Sequence, residues 1–235
     1  MKKLLVSLLP FGLVNWYSNK KRNSQISKLV IDRKERLQIQ ALRKDHVSSS
    51  EGAFINFGCG KNYQKGWINI DGENNGDINF FLTIDSYLPF ENDSVDGVFS
   101  EHFVEHIDLA TGTHFFKECL RVLKKGSVLR VVCPNLDYIL EGVDNAKLHM
   151  LKEMFISVGD FNRMPDEISS AEIINWIFYG HGHKFIYNQE SLTQLLTTVG
   201  FSLVYPSEFG ESKKGIAIER RKDESFYSLY IEAIK

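Results

Sequence analysis

The chain has 235 residues, 43% of them apolar and 25% charged, with a formal net charge of −2. Those are the proportions of an ordinary soluble globular protein, long enough for one α/β-sized domain or a domain with a small appendage. Residues 1–50 hold eleven Lys and Arg against three Asp and Glu, so a basic arm of +8 precedes a body of −10, and an acidic body excludes a polyanion such as nucleic acid as its partner.

Cys59, Cys119 and Cys133 are odd in number and widely spaced. They form neither a disulfide framework nor a C-x-x-C zinc site, and read as reduced thiols in a cytoplasmic protein. Met1-Lys2-Lys3 and the apolar Leu4–Leu9 resemble the start of a signal peptide. Pro10 and Gly12 interrupt the run, and no small-x-small cleavage site follows Val14. The run is also too short to span a bilayer. Phe11, Trp16 and Tyr17 beside Lys20-Lys21-Arg22 instead suit a short amphipathic element. Such an element would lie on an anionic surface at the inner face of a membrane, through residues 1–22, or pack on its own body or a partner subunit. Ser24 to Lys44 has helical spacing without Gly or Pro, and 47–52 is a linker. The chain thus divides into a basic helical arm, 1–52, and a domain, 53–235.

In the domain, Ala53–Phe57 and Trp67–Asp71 read as buried strands separated by only nine residues, Gly58 to Gly66. A parallel crossover normally takes a dozen or more residues and a helix, so the connecting helix is expected to be reduced to a turn. Strands follow at Asp77–Leu82 and Val95–Ser100, then a helix over Thr113–Lys124 stopped by Gly126. A fifth strand, Ser127–Cys133, ends at Pro134. Residues 135–187 form a long insertion with helical patches, and Ser191–Val199 is a helix stopped by Gly200. Leu203–Tyr205, Gly215–Glu219 and Ser228–Ile234 read as closing strands. This alternation predicts an α/β, Rossmann-like fold. Its sheet is mostly parallel, with helices on both faces and an antiparallel closing strand.

Gly58-Cys59-Gly60 and Asp71 end two adjacent strands, at the sheet edge where open α/β folds bind ligands. A dinucleotide site would have a third glycine opening a helix, and Lys61-Asn62-Tyr63 stands there instead. A carboxylate at Asp71 suits the two hydroxyls of a ribose. His102-Phe103-Val104-Glu105-His106 fits H-x-x-E-H, the inverted zinc-protease signature. That signature needs a long helix and a third ligand from another helix, so no metal is expected. His102, Glu105 and His106 are instead read as opening a helix that overlooks the ligand. His181-Gly182-His183 reads as a loop on the substrate rim.

Taken together, Ile55–Gly60, Gly66–Asp71, Leu88-Pro89-Phe90, Asp93–Asp96 and His102–His106 resemble class I S-adenosylmethionine-dependent methyltransferases. The likeness continues through Glu118–Gly126, His183–Tyr187, Leu195–Phe201, Gly210-Glu211-Ser212 and Ser228–Ala233, and is nearest to small members encoded among polysaccharide-assembly enzymes. The resemblance implies S-adenosyl-L-methionine as cofactor, with Asn56, Gly58, Cys59 and Gly60 beside its methionine part and Asp71 on its ribose. Ser100 and Glu101 would line the methionyl side, and Leu82 and Thr83, after Phe81, would lie at the adenine, where the family commonly has an acid and this sequence has its nearest one, Asp85, slightly displaced. His106, then His102 or Glu105, with His183 on the rim, are the candidates for the base that an oxygen acceptor requires. The expected acceptor is a small polar molecule, a sugar or nucleotide-linked glycan precursor. The alternatives are a membrane-soluble acceptor such as a quinone, or a non-catalytic cofactor-binding subunit. A homo-oligomer is compatible with the sequence.

Overall fold

The β-branched and aromatic run Phe54–Phe57 forms β1, and Ile68–Asp71 forms β2 beside it. The structure, a computed structural model, describes residues 53–72, 77–142, 147–159, 164 and 167–235. The arm and linker expected over 1–52 lie outside the described residues, as does the membrane or partner contact expected of 1–22. β1 and β2 are parallel, with Ile55 opposite Ile68 and Phe57 opposite Ile70, and only turns connect them. The reduced crossover is therefore real.

β3 (Ile78–Asn79), β4 (Val95–Glu101), β5 (Leu123–Pro134), β6 (Leu203–Pro206) and β7 (Ser228–Ile234) complete a seven-stranded sheet of order β3-β2-β1-β4-β5-β7-β6. β7 runs antiparallel to both β5 and β6, and the other pairings are parallel. The mainly parallel Rossmann-like sheet with an antiparallel closing strand is as expected. The order in which strands are added reverses between β1 and β4, and ligands in such sheets bind at that switch point.

Four expected boundaries moved. β3 is two residues long rather than six: Phe80 N makes the last bond to β2, on Asp71 O, and Thr83 N donating to Ser86 Oγ closes the loop that follows. Helix α1 is Leu109–Val122, starting four residues early where Asp108 Oδ1 accepts from Thr111 N as the N-cap. Gly126 does not stop that helix. β5 begins at once, and Gly126, at φ +79°, sits in the irregularity where pairing with β4 jumps from Leu123 to Val128. Gly215–Glu219 is not a strand. Its alternating Ile216 and Ile218 pack onto the sheet face, Ile216 near Gly97 and Ile218 against Phe99, Val132 and Tyr230. Period-two alternation satisfies a flat strap as well as a paired strand.

Pleat and register divide the sheet side chains between two faces. One carries Ile55, Phe57, Ser100 and Val131, and α1 covers it through Phe115, whose ring centroid is 4.8 Å from that of Phe57. Helix α5 (Gln189–Val199), N-capped by Asn188 and ended by Gly200 at φ +118°, packs beside α1. The other face carries Phe54, Asn56, Phe99, Glu101, Arg130 and Glu232, and the strap crosses it. Between β5 and α5, helices α2 (Leu136–Gly142), α3 (Lys147–Gly159) and α4 (Ser170–Tyr179) share a second core of Ile139, Leu151, Phe155, Ile173 and Ile177.

Arg130 fastens the strap. Its fully buried guanidinium donates to Glu219, to Ser207 Oγ at 2.6 Å, to Glu232 Oε1 at 3.2 Å and to the Glu208 carbonyl at 2.8 Å. Tyr205 Oη donates to the second oxygen of Glu232 at 2.7 Å. Removing the cation leaves two buried carboxylates without compensation, a loss worth about 3–5 kcal/mol. Arg130→Ala should therefore lower unfolding stability by roughly that amount in a urea titration; an unmoved midpoint would remove Arg130 as the fastening.

Candidate active site

The turn after β1 is tied to the end of β2 by three consecutive amides. Gly58 N and Cys59 N both donate to Ile70 O, at 2.9 and 3.1 Å, and Gly60 N donates to Asp71 Oδ2 at 2.7 Å. Gly58 and Gly60 have φ of +71° and +49°, in the left-handed region that favours glycine. A Cβ on Gly58 would also lie 2.6 Å from Phe103 Cβ. An asparagine pair secures the rest of the crossover. Asn56 Nδ2 donates to Asn62 O at 2.8 Å and to Asn69 Oδ1 at 3.1 Å, while Asn69 binds both backbone groups of Gln64. Asn69 is a site residue that the sequence reading passed over. Its signal was present, since the two asparagines occupy the same register position of neighbouring strands. Burial, then Asp71, push the Cys59 thiol up to about 11, so it stays protonated near neutral pH and is no nucleophile.

A cavity of about 180 Å³ opens at this edge, lined by Asn56, Gly58, Cys59, Gly60, Lys61, Asn62, Glu101 and Arg221. Five of the expected cofactor residues thus share one cavity, and Asp71 braces its glycine wall. Arg221, at the end of the strap, was not foreseen. Glu101 Oε1 accepts from the amides of Arg220 and Arg221 at 3.3 and 3.4 Å, and Arg220 Nη2 donates to Tyr63 O at 2.8 Å. Desolvation raises the Glu101 carboxyl above its ordinary value, against the smaller opposing pull of the Arg221 amide and His102. Ser100 is elsewhere. One residue before Glu101 on the same strand, it faces the opposite side of the sheet, fully buried and outside the cavity lining. Leu82 and Thr83 also lie outside that lining. Thr83 is exposed and bonded to Ser86, and the exposed Phe81 ring rests 3.3 Å from where Gly72 would carry a Cβ.

The loop after β4 carries the histidines. His102 has φ +49° and is not in a helix, and only a single 3-10 turn, Val104–His106, follows. His102 is buried, with Nδ1 3.2 Å from Glu105 Oε1 and Nε2 3.2 Å from Ser228 Oγ. Both ring nitrogens are engaged, so His102 positions Glu105. Glu105 is buried and its carboxyl is held low; burial alone would raise it, and the His102 and His106 imidazoles outweigh that. His106 is half-exposed, 4.8 Å from His183 between ring centroids, and burial lowers its pKa. The insertion delivers His183. Lys184 N and Phe185 N donate to Glu105 O at 2.7 and 3.2 Å, and His183 Nδ1 meets the Ile177 carbonyl. Glu105, His106 and His183 therefore meet at the same sheet edge, while His102 stands behind them.

Residues 57–131 match the family described as "Methyltransferase domain". No curated protein matches the chain. Among solved structures, the chain is similar to a SAM-dependent methyltransferase from Archaeoglobus fulgidus, at 17% identity over 85% of this chain and 94% of that one, with a TM-score of 0.46. It is also similar to an S-adenosylmethionine-dependent methyltransferase from Mesorhizobium loti, at 12% identity over 78% and 91%, with a TM-score of 0.48. The matched segment runs from the end of β1 to the middle of β5 and contains the glycine turn, Asp71 and the histidine loop. Over residues 57–131 the chain is similar to methyltransferase domains, a class of enzymes whose methyl donor is S-adenosylmethionine. The cavity suits that donor chemically: the buried Glu101 carboxylate and Arg221, whose guanidinium pairs with Glu224 at 3.2 Å, line one space beside a glycine turn, charges of the two signs that an amino-acid zwitterion carries.

Because the folded protein holds the Glu101 proton more tightly than the unfolded chain does, this group's stabilising effect is full below its ordinary pKa of 4.5. It is lost as pH rises through the raised folded value. At neutral pH the ionised carboxylate is a net cost. Glu101→Gln keeps an oxygen for the two amides and should raise the thermal midpoint of the cofactor-free protein at pH 7 by about 1–2 °C. A lower midpoint would show that the carboxylate is already compensated.

Proposed function

We propose that the enzyme transfers the methyl group to an oxygen of a small polar acceptor, a sugar or nucleotide-linked glycan precursor. The observation that carries this reading is the arrangement of the β4 loop. A cavity matched to a zwitterion ends at Glu101, and a carboxylate–imidazole cluster begins four residues later on the same loop. A sugar hydroxyl is a poor nucleophile and gains from a positioned base, and an edge lined by Glu105, His106 and His183 is polar where an acceptor would enter.

When bound, S-adenosylmethionine supplies a sulfonium methyl for in-line displacement. The chain's own groups hold it and prepare the acceptor. Glu101 binds the ammonium, Arg221 the carboxylate, the glycine turn admits the backbone close to the amino-acid part, and Asp71 accepts from the ribose hydroxyls. Phe81, packed against Gly72, offers an aromatic face beyond Asp71 for the base, in place of the carboxylate that the family commonly has there. His106 takes the acceptor proton, and Glu105 stabilises the imidazolium that forms. Fixing two reactants in this way is worth about 7–11 kcal/mol of barrier in favourable cases, so most of the chain's task is orientation.

Asp71→Ala should weaken cofactor affinity by about tenfold or more in calorimetry, the loss of a charge-assisted pair of hydrogen bonds; unchanged affinity would sink the ribose assignment. With a methyl-labelled donor and a panel of nucleotide sugars and lipid-linked glycans, His106→Ala should lower turnover by about 10²-fold or more. Its cofactor affinity should stay near that of the wild type. Normal turnover would remove His106 as the base.

A further inference from the structure

We propose that Glu105, His106 and His183 form a site for a divalent transition-metal ion, and that its occupancy excludes proton transfer at His106. The consequence for turnover rests on the base role proposed above; the ion site does not. Each residue offers one ligand atom, and the three lie within 4.8 Å of one another. Tetrahedral zinc, with bonds of about 2.0–2.1 Å, sets ligand atoms about 3.3 Å apart. A closing movement of about 1.5 Å would suffice, and His106, its side chain 36% exposed, is the member free to make it.

Two independent features point to a cation here. The first is Glu105 itself, whose side chain is 1% exposed. Its Oε1 is taken by His102, while Oε2 is buried with no hydrogen-bond partner among the described residues. An orphan carboxylate oxygen in such a place demands explanation; the oxygen recorded nearest His106 Nε2 is Oε1, at 4.0 Å, so an ion held by both oxygens of the carboxylate and shared with the two imidazoles would satisfy it. The second is how the rings are held. His183 Nδ1 is bonded to the Ile177 carbonyl, and the His106 ring stands beside that of His183, 4.8 Å away between centroids. Histidine ligands of metals are oriented as His183 is, one nitrogen held by a backbone carbonyl and the other presented to the ion.

Two imidazoles and a carboxylate suit zinc and its neighbours rather than calcium or magnesium, which take oxygen ligands. Three protein ligands on a half-exposed loop leave a coordination position open. The arrangement is not that of the H-x-x-E-H signature, since His102 stands behind Glu105 and the third ligand comes from the loop that closes the insertion. A metal on His106 occupies the lone pair that proton transfer needs, so loaded and active forms are alternatives.

The test uses the full-length, tag-free chain stripped of metal and titrated with Zn²⁺ against a chromophoric chelator, with Co²⁺ absorption reporting ligand geometry. Wild type should bind one zinc per chain. His183→Ala and Glu105→Gln should each weaken binding by about tenfold or more, with circular dichroism melts confirming that they fold. Should buried Glu105→Gln fail to fold, His183→Ala decides alone. His149→Ala, which removes the exposed pair with Glu153 at 3.1 Å, should leave binding unchanged. Turnover of the wild type should fall with the same zinc midpoint. Absence of stoichiometric zinc, or equal affinity in His183→Ala, would overturn the site. Zinc bound at full turnover would overturn the exclusion, and with it the base role of His106, while leaving the ion site standing.

Discussion

Everything at the ligand edge depends on the tie between the glycine turn and the end of β2. A parallel pair joined by ten residues without a helix has little length to spare, so the chain must reverse within a few residues of Phe57. It does so through two left-handed glycines whose amides, with that of Cys59, are spent on Ile70 O and Asp71 Oδ2. Those bonds bring the carboxylate of one strand against the backbone of the other. They also leave Gly58 without room for a Cβ, because Phe103 from the next loop occupies it. Phe103 packs in turn against Phe57 and Phe115. The turn, the histidine loop and α1 therefore share one contact, and a change at any of them reaches the other two.

The second constraint works from the opposite end of the chain. Arg130 lies in the middle of β5, fully buried, and holds Glu219 of the strap. Arg220 and Arg221 follow at once, their amides on Glu101. A buried ion cluster contributes little net stability, because desolvation offsets attraction. Its value here is positional. A strap without strand pairing has no ladder to fix its register, and an ion cluster with several directional bonds supplies one. The end of the strap that lines the cavity is thus set by a residue of the neighbouring strand, on the same face of the sheet as Glu101.

How far the sequence disclosed this follows the range of the interactions. The strands were legible because each is a short apolar run ended by a glycine, proline or acid, and the turn was legible because Gly58, Gly60 and Asp71 are local. Boundaries failed where a side chain decided them: Asp108 as a cap moved the start of α1, and Leu123 continued straight into β5 without the break that Gly126 suggested. The strap failed for a different reason. Ile216 and Ile218 alternate as a strand does, and alternation reports one buried face without saying whether the backbone is paired. Arg221 was invisible because it is brought to Glu101 across 120 residues by contacts with no sequence signature. Ser100 and Glu101 show the finest scale of the problem. They are adjacent, and a one-residue difference along a strand puts them on opposite faces.

What unites the edge is that its buried charges are incompletely satisfied by the protein. Glu101 is raised by desolvation, Glu105 keeps one oxygen without a partner, and His106 is held toward its neutral form by burial although a carboxylate adjoins it. Elsewhere in the sheet the chain takes care to neutralise such groups, as Arg130 does for Glu219 and Glu232. The contrast is a matter of free energy. A group that is fully compensated within the fold has nothing left to gain from a ligand, whereas one left short of a partner gains most when an ammonium, a proton or a metal ion arrives. Tyr187 Oη and Glu219 Oε2 are also buried without a hydrogen-bond partner, but Arg130 neutralises the charge of Glu219. The charged groups at the carboxyl end of β4 are the ones that adjoin the cavity and the histidine cluster, and this is where function is drawn from stability.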